Sequence, residues 1–546
     1  MEATCIVTGK QFSISDHEQE YCHNAGIPLP KLHPQERLKR ILNFRNRTFL
    51  YNTTCASSKK PILSCIPPDK GFTVYDVDAW NGDDWDALSY GKEYDPQRNF
   101  FDQLGELLKA VPLPNLTVVR AGLENSDYCN GAANLKNCYL CFASVGNSDC
   151  MFCWNTFDSK NVVNCISAIK SELCYHCRDI ENCYRVCYAE SSNYCSESYF
   201  LESCQSCKHC FACVNLSNKE YCWYNEQLTK EEFEMRRTKF AMGSLRTIEE
   251  EMKKFAEFKK RFPQKAVQGR NNENSTGNYI HNCKDCRSLF HGNGSIDVEN
   301  CIGVNKSKDV FCTAFCTSGE LLYNCQAGIN NYNNQYCAEC VQTRNMLYCL
   351  YCMQGSSDCF GCVSLKKKQY CVLNKQYSKE EYEKLVQEIK RNLTERNEWE
   401  EFFPSRLSPM HYNHSDGAII LPVTKEEAIK LGFTWEEETP QEAFAAYQIP
   451  DNIKDVKDDI LQGTLQCATT GKKFRLTKQE LEFYREMGVP IPRQAPLERV
   501  HQNAAVFRIT EVKKIPCSNC HQKIESIYDP QERAVLCEEC YLKEHY

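Results

Sequence analysis

The chain has 546 residues, a formal charge of −7 at pH 7, 25% charged residues and 38 cysteines, with a pI near 6.0 and a mean hydropathy of −0.56. That length predicts three or four domains, and the acidic balance excludes a chain-wide field built for nucleic acid. No run of 18 apolar residues occurs, so no membrane span is expected.

Within residues 1–66, residues 5–37 read CIVTGKQFSISDHEQEYCHNAGIPLPKLHPQER, and residues 467–499 read CATTGKKFRLTKQELEFYREMGVPIPRQAPLER. The two stretches run without a gap from Cys5 to Arg37 and from Cys467 to Arg499, an internal duplication at an offset of 462 (5 to 467). Thr8-Gly9-Lys10 matches Thr470-Gly471-Lys472, and Gly26, Pro28, Pro30 and Pro34 match Gly488, Pro490, Pro492 and Pro496. In the N-terminal copy, Cys55 matches Cys517, but Ser58, Tyr75 and Asp78 stand where the later copy has Cys520, Cys537 and Cys540. Residues 1–66 therefore read as a degenerate zinc-ribbon-like module, without metal unless Cys5, Cys22, Cys55 or Cys65 regroup. The basic segment RLKRILNFRNR places Leu38, Ile41, Leu42 and Phe44 on one stripe of a helix and Arg37, Lys39, Arg40, Arg45 and Arg47 elsewhere. Two readings stand: a solvated face docked on its own module, or an RNA- or phosphate-contacting helix.

Residues 67–118 form an acidic, aromatic connector, with Trp80, Trp85, Tyr90 and Phe100 among Asp76, Asp78, Asp83, Asp84 and Asp86. Trp80, Trp85 and Tyr90 either anchor the connector to a domain or bind a partner. FDQLGELLKAV reads as a short helix ended by Pro112 and Pro114.

Within residues 119–228 almost every gap between cysteines is a multiple of three, most plainly at Cys129, Cys141, Cys153, Cys165 and Cys177, twelve apart. A fixed short period means one unit stacked on copies of itself. Asn, Ser, Asp and Gly separate short aromatic and β-branched runs, the punctuation of very short strands rather than of a helix. The prediction is a narrow β-solenoid of about 12 residues per coil, with neighbouring coils ~4.8 Å apart and residues twelve apart stacked. Asn137, Asn164, Asn182, Asn282, Asn300 and Asn324, each before a Cys, fit left-handed corners.

Three readings of the thiols compete. Reduced Cys fills a narrow core; or Cys138, Cys141, Cys150 and Cys153, and likewise Cys337, Cys340, Cys349 and Cys352, hold zinc; or the thiols form disulfides, which need an oxidising compartment. The opening MEATCIVTGK has neither a basic n-region nor an apolar h-region, so a reducing cytoplasm is expected.

Thr229 and Glu232 form a capping box, predicting a helix over 229–262. A second Cys-rich solenoid over 271–377 and a second capping helix over 378–402, started by Ser378, repeat the unit. Cys213, Cys222, Asn225 and Glu232 match Cys362, Cys371, Asn374 and Glu381 at an offset of 149 (213 to 362). Each helix is expected to cover an open sheet edge. Residues 403–465 are a connector with a short helix at TKEEAIKLG, and His411 and His414 are weak metal-ligand candidates. Residues 466–546 end in Cys517, Cys520, Cys537 and Cys540, two CxxC pairs with zinc-ribbon spacing.

The TGKxF opening with PLPKLHPQER, the acidic Trp segment, the ENS-led cysteine repeats and the closing CSNC and CEEC pairs resemble a family of cysteine-rich, zinc-ribbon-bearing proteins of candidate-phylum bacteria with small genomes. The resemblance covers essentially the whole chain. It implies an architecture and no activity; it also implies a two-knuckle N-terminal module, from which Ser58 departs.

The fold expected is mainly β with α: two narrow β-solenoids, each followed by a capping helix, flanked by duplicated zinc-ribbon or treble-clef-like modules. No Gly-rich phosphate loop, HExxH or nucleophile elbow occurs, and no small-molecule substrate is evident. The function expected is a non-enzymatic, cytoplasmic, zinc-binding scaffold that presents solenoid surfaces to a protein partner. The alternatives are an RNA- or ribosome-associated protein using the terminal modules, and a metal store or thiol redox buffer.

Overall fold

The computed structural model describes residues 1–316, the backbone of 337–338, and residues 342–396, 398–399, 402–437 and 442–545. The protein is mainly β with α, with a β-solenoid of about 19 turns in the middle of the chain. It forms two compact units, each discontinuous: one of Met1–Leu116, Gly269–Glu437 and Phe507–Val512, the other of Thr117–Gln268, Glu438–Val506 and Lys513–Tyr546. Segments expected as consecutive domains are thus shared between two bodies.

The coil of the second unit follows from a three-residue rule. Inward positions fall at Cys138, Cys141, Ser144, Asn147, Cys150, Cys153, Thr156 and Ser159, all buried. The residue after each faces outward, and the next turns the corner with positive φ: Leu140 (50°), Asp149 (56°), Phe152 (57°), Asn155 (58°) and Asp158 (49°). Four such sides make a coil, and parallel pairing advances by twelve residues, from Tyr139 to Met151, Val163, Tyr175 and Cys187. Asn137, Asn164 and Asn182 occupy left-handed corners as expected. The bulky corner residues Leu140, Phe152, Tyr188 and Phe200 each carry a local penalty of roughly 1–2 kcal/mol, which the ladder on both sides offsets.

The same rule explains the cysteines. Outward and corner N–H groups find carbonyls of neighbouring coils, as Tyr139 N donates to Cys150 O and Phe152 N to Tyr139 O. Inward N–H groups instead use the side chain one coil earlier. Cys177 N donates to Cys165 Sγ at 3.3 Å, Cys138 N to Ser126 Oγ at 3.0 Å, and Cys210 N to Ser198 Oγ at 2.9 Å. Cys, Ser, Thr and Asn are therefore favoured inside because they are small and also accept a hydrogen bond that a buried N–H must make. The thiols donate in turn, Cys141 to Cys150 O and Cys153 to Val162 O, both at 3.3 Å.

In the first unit the period slips to eleven where Gly269 pairs with Ile280, and to thirteen where Arg344 pairs with Ser357. At Gly277 (φ 130°) a Cβ would stand 1.8 Å from Leu289 O, so only glycine closes that coil.

The ladder of the second unit ends in the antiparallel turn Cys222–Trp223 with Glu226–Gln227. A helix, Lys230–Lys239, follows with its Thr229–Glu232 capping box, and Phe233 packs on Tyr221 and Trp223. The single helix expected over 229–262 is instead two, because Ser244 caps a new one, Leu245–Lys259. The break is held by Ile453 N donating to Gly243 O and by Asp451 on Ser244. In the first unit, Ser378 and Glu381 box the helix Lys379–Glu395. The other expected helices form as Phe100–Ala110 and Lys425–Lys430. No helix among the described residues is long and apolar enough to cross a membrane.

Candidate metal centre

Strands Lys513–Pro516 and Lys523–Ser526 pair as an antiparallel hairpin. Its turn is closed by Cys517 N on Gln522 O (2.9 Å) and His521 N on Cys517 O (3.0 Å), with His521 at φ 60°. This places Cys517 and Cys520 on one side of the turn. The second pair sits at a helix start: Cys537 directly precedes Glu538–His545, and Cys540 lies in its first turn. The four sulfurs lie within 4.8 Å of one another, and Cys520 and Cys537 are 3.8 Å apart. Cys537 N and Cys540 N donate to Cys517 Sγ and Cys537 Sγ, each at 3.4 Å.

Those amides change the acidity of the set. Burial raises the Cys517 thiol, but the N–H groups of Cys537, Asn519 and Cys520 outweigh it and pull the thiol down to about 6. The neighbouring Cys537 thiol pushes Cys540 up to about 12. Four sulfur donors on two turns, with N–H groups aimed at sulfur, can hold one metal ion. Among the described residues no other group of three or more Cys, His, Asp or Glu converges in this way. Cys138, Cys141, Cys150 and Cys153, a possible zinc set by spacing, do not: they line two sides of the coil, stacked in pairs twelve apart, and bond to carbonyls. The Cys337 side chain and Cys340 lie outside the described residues, so the set they would form with Cys349 and Cys352 does too.

Among the described residues the hairpin turn occurs four times. Cys5, Cys55, Cys467 and Cys517 each accept from the residue four on, Gly9, Lys59, Gly471 and His521, and donate to Lys10, Lys60, Lys472 and Gln522. All four turn residues have φ between 59° and 70°. Each thiol also accepts from an amide at a later helix cap: His33, Asp76, Ala495 and Cys537. The duplication is therefore one of paired knuckle-and-helix units, and only the last has four thiols. The cap after Cys55 is Asp76, which stands at the Cys537 place instead of Tyr75; the position three further on is Ala79. One residue of difference in loop length hides this match from a gapless comparison.

The expected solvent-facing basic helix is corrected. In Pro34–Asn43, Arg37 is 1% exposed and pairs with Glu18 at 2.7 Å. Arg47 pairs with Asp416 at 2.8 Å and lies 3.9 Å over Phe315, and Arg45 is buried beside the same ring. Only Lys39 and Arg40 are half-buried, with Lys39 on Glu36. In the second unit, Arg499 and Glu480 repeat the Arg37–Glu18 pair at 2.8 Å. Trp80 is buried with Nε1 donating to Pro112 O; Trp85 and Tyr90 are half-buried beside it, and Lys366 lies 4.0 Å over the Trp80 ring. These aromatics fasten the connector to the coils of their own unit. His411 bonds Asp69, and His414 bonds Tyr51 and Glu436.

No protein-family model matches the chain, and no curated protein matches it.

Proposed function

We propose that the protein is a non-enzymatic, cytoplasmic zinc-binding scaffold, with two solenoids flanked by terminal zinc-ribbon or treble-clef-like modules, and that a protein partner docks on a solenoid face. The Cys517–Cys520–Cys537–Cys540 centre carries this reading. A tetrahedron with Zn–S of ~2.3 Å has sulfurs about 3.8 Å apart, and Cys520 and Cys537 stand at 3.8 Å. Among the described cysteines no disulfide is formed, which suits a reducing compartment.

For the docking face, the second unit offers an unbroken outward row of Val119, Ala133, Val145, Phe157 and Ile169, stacked coil on coil. Val119 is 59% exposed and Val145 and Ile169 more than a third. Ion-pair rungs, Lys136 on Glu124 and Lys160 on Glu172, run over the same coils. The partner that fits is a protein segment with an apolar ridge and charges of both signs at its rim.

Metal analysis of protein purified without added zinc tests the first half, with one equivalent expected. Partner capture after nuclease treatment tests the second. Changing Val145, Phe157 and Ile169 to Ser should abolish capture and leave the zinc in place; capture that survives those changes, or that nuclease removes, rules this face out.

A further inference from the structure

In the second unit one coil has cysteine at every inward position: Cys204, Cys207, Cys210 and Cys213, with Cys195 one coil before and Cys222 one coil after. Other coils mix Ser, Thr, Ala and Val into these places. The Cys207 thiol neighbours those of Cys195, Cys204 and Cys210; Cys210 in turn neighbours Cys213 and Cys222. With Cys183, which neighbours Cys195, seven sulfurs thus form one continuous chain in a dry interior. Further chains of the same kind include Cys138, Cys141 and Cys153, and in the first unit Cys349, Cys362 and Cys359.

We propose that these sulfur chains bind a soft monovalent d10 cation, Cu(I), bridged between successive thiols inside the coil. Pairwise contact decides the metal. Zinc needs four donors that converge on one point, and among the described residues only the Cys517 group brings three or more together. Cu(I) is held by two sulfurs in line, and soft thiolates select it. Charge balances as well: each Cu(I) that enters replaces one thiol proton, which leaves to solvent, so a bridged run stays near neutral. A buried net charge would be costly. The proposal is independent of zinc at the Cys517 group.

The test is anaerobic titration of the full-length, zinc-loaded chain with Cu(I) delivered as its bicinchoninate complex. Copper taken from the chelator, zinc retained, cluster luminescence and the far-ultraviolet β signal are read together. The comparison variant carries Cys204→Ser, Cys207→Ser and Cys210→Ser, which the coil accommodates because Ser192 and Ser198 already sit inward; Cys207→Ser alone serves if the triple variant fails to fold. The native chain should bind several copper ions with its zinc and β signal unchanged. The triple variant should lose copper and luminescence in proportion to the three thiols removed, because its longest sulfur chain is cut. Uptake that expels zinc, that melts the coil, or that is the same in native and variant protein overturns the proposal.

Discussion

The knuckles at Cys55 and Cys517 have the same backbone and opposite chemistry. Both put a cysteine at the end of a hairpin strand, turn through a left-handed residue, and receive an amide from a later helix cap at 3.3 or 3.4 Å. One has three more thiols; the other has Ser58, Asp76 and Ala79. What differs is the support beneath them. The helix after Cys55, Val77–Asn81, buries Val77 and Trp80, and Cys65 N is held by Asn115 O. Around Cys517 the buried apolar cluster is Leu536 and Tyr541 with the cysteines themselves, packed against Ile524. A knuckle set in a large core can lose its ligands, whereas one with little core needs them.

The sharpest break of this comparison is Cys537→Ser. A structural zinc contributes on the order of 10 kcal/mol to a module of this size. The variant should therefore lose its zinc and become protease-sensitive over residues 510–546, with the coils intact. Retained zinc and retained protection together would remove the metal from its structural role. The converse experiment restores ligands to the other knuckle. Ser58→Cys, Asp76→Cys and Ala79→Cys should add a second equivalent of zinc, because the cap and first turn after Cys55 already match those after Cys517. If the triple variant binds no additional metal, the two knuckles are not equivalent.

A smaller effect tests the copies one level down. Arg37 with Glu18 and Arg499 with Glu480 are duplicated pairs, all four side chains at most 5% exposed. Removing one charge strands the other in the interior, at a cost of about 3–5 kcal/mol. Glu18→Gln and Glu480→Gln should each lower the denaturation midpoint of the unit that contains it. Equal tolerance of both changes would mean the pairs are solvated on a timescale that matters for unfolding.

What was legible follows from locality. The twelve-residue period, the capping residues Thr229 and Ser378, and the Cys517 set are each written within a few dozen residues. The burial of Arg45 and Arg47 was not, since Arg47 is neutralised by Asp416 and both lie against Phe315, hundreds of residues away. The break at Ser244 depends on Asp451 for the same reason. The spacing of Cys138, Cys141, Cys150 and Cys153 could not reveal whether the sulfurs converge. That depends on the corner after every third residue, where Leu140 and Phe152 adopt a conformation their side chains disfavour. Nor did smallness alone explain the inward cysteines: their role as acceptors for the next coil becomes visible only once the inward amides are seen to lack backbone partners.

That last point gives the smallest and most specific prediction. In the Cys517 knuckle sulfur accepts amides as an incipient ligand; in the coil it accepts them as a substitute for the ladder. Cys165 Sγ takes the Cys177 amide at 3.3 Å and donates to Val163 O. Cys165→Ser keeps both bonds in a smaller side chain, as Ser159 does for the Ser171 amide at 3.1 Å. Cys165→Ala keeps neither, and leaves a buried N–H unpaired at about 1–3 kcal/mol. Alanine should therefore destabilise the second unit more than serine does, although serine is the more polar of the two. Chemical denaturation of the two variants reads the difference, and hydrogen exchange at the Cys177 amide locates it: protection should fall in the alanine variant and persist in the serine one. If alanine is tolerated as well as serine, the inward thiols are only filling space.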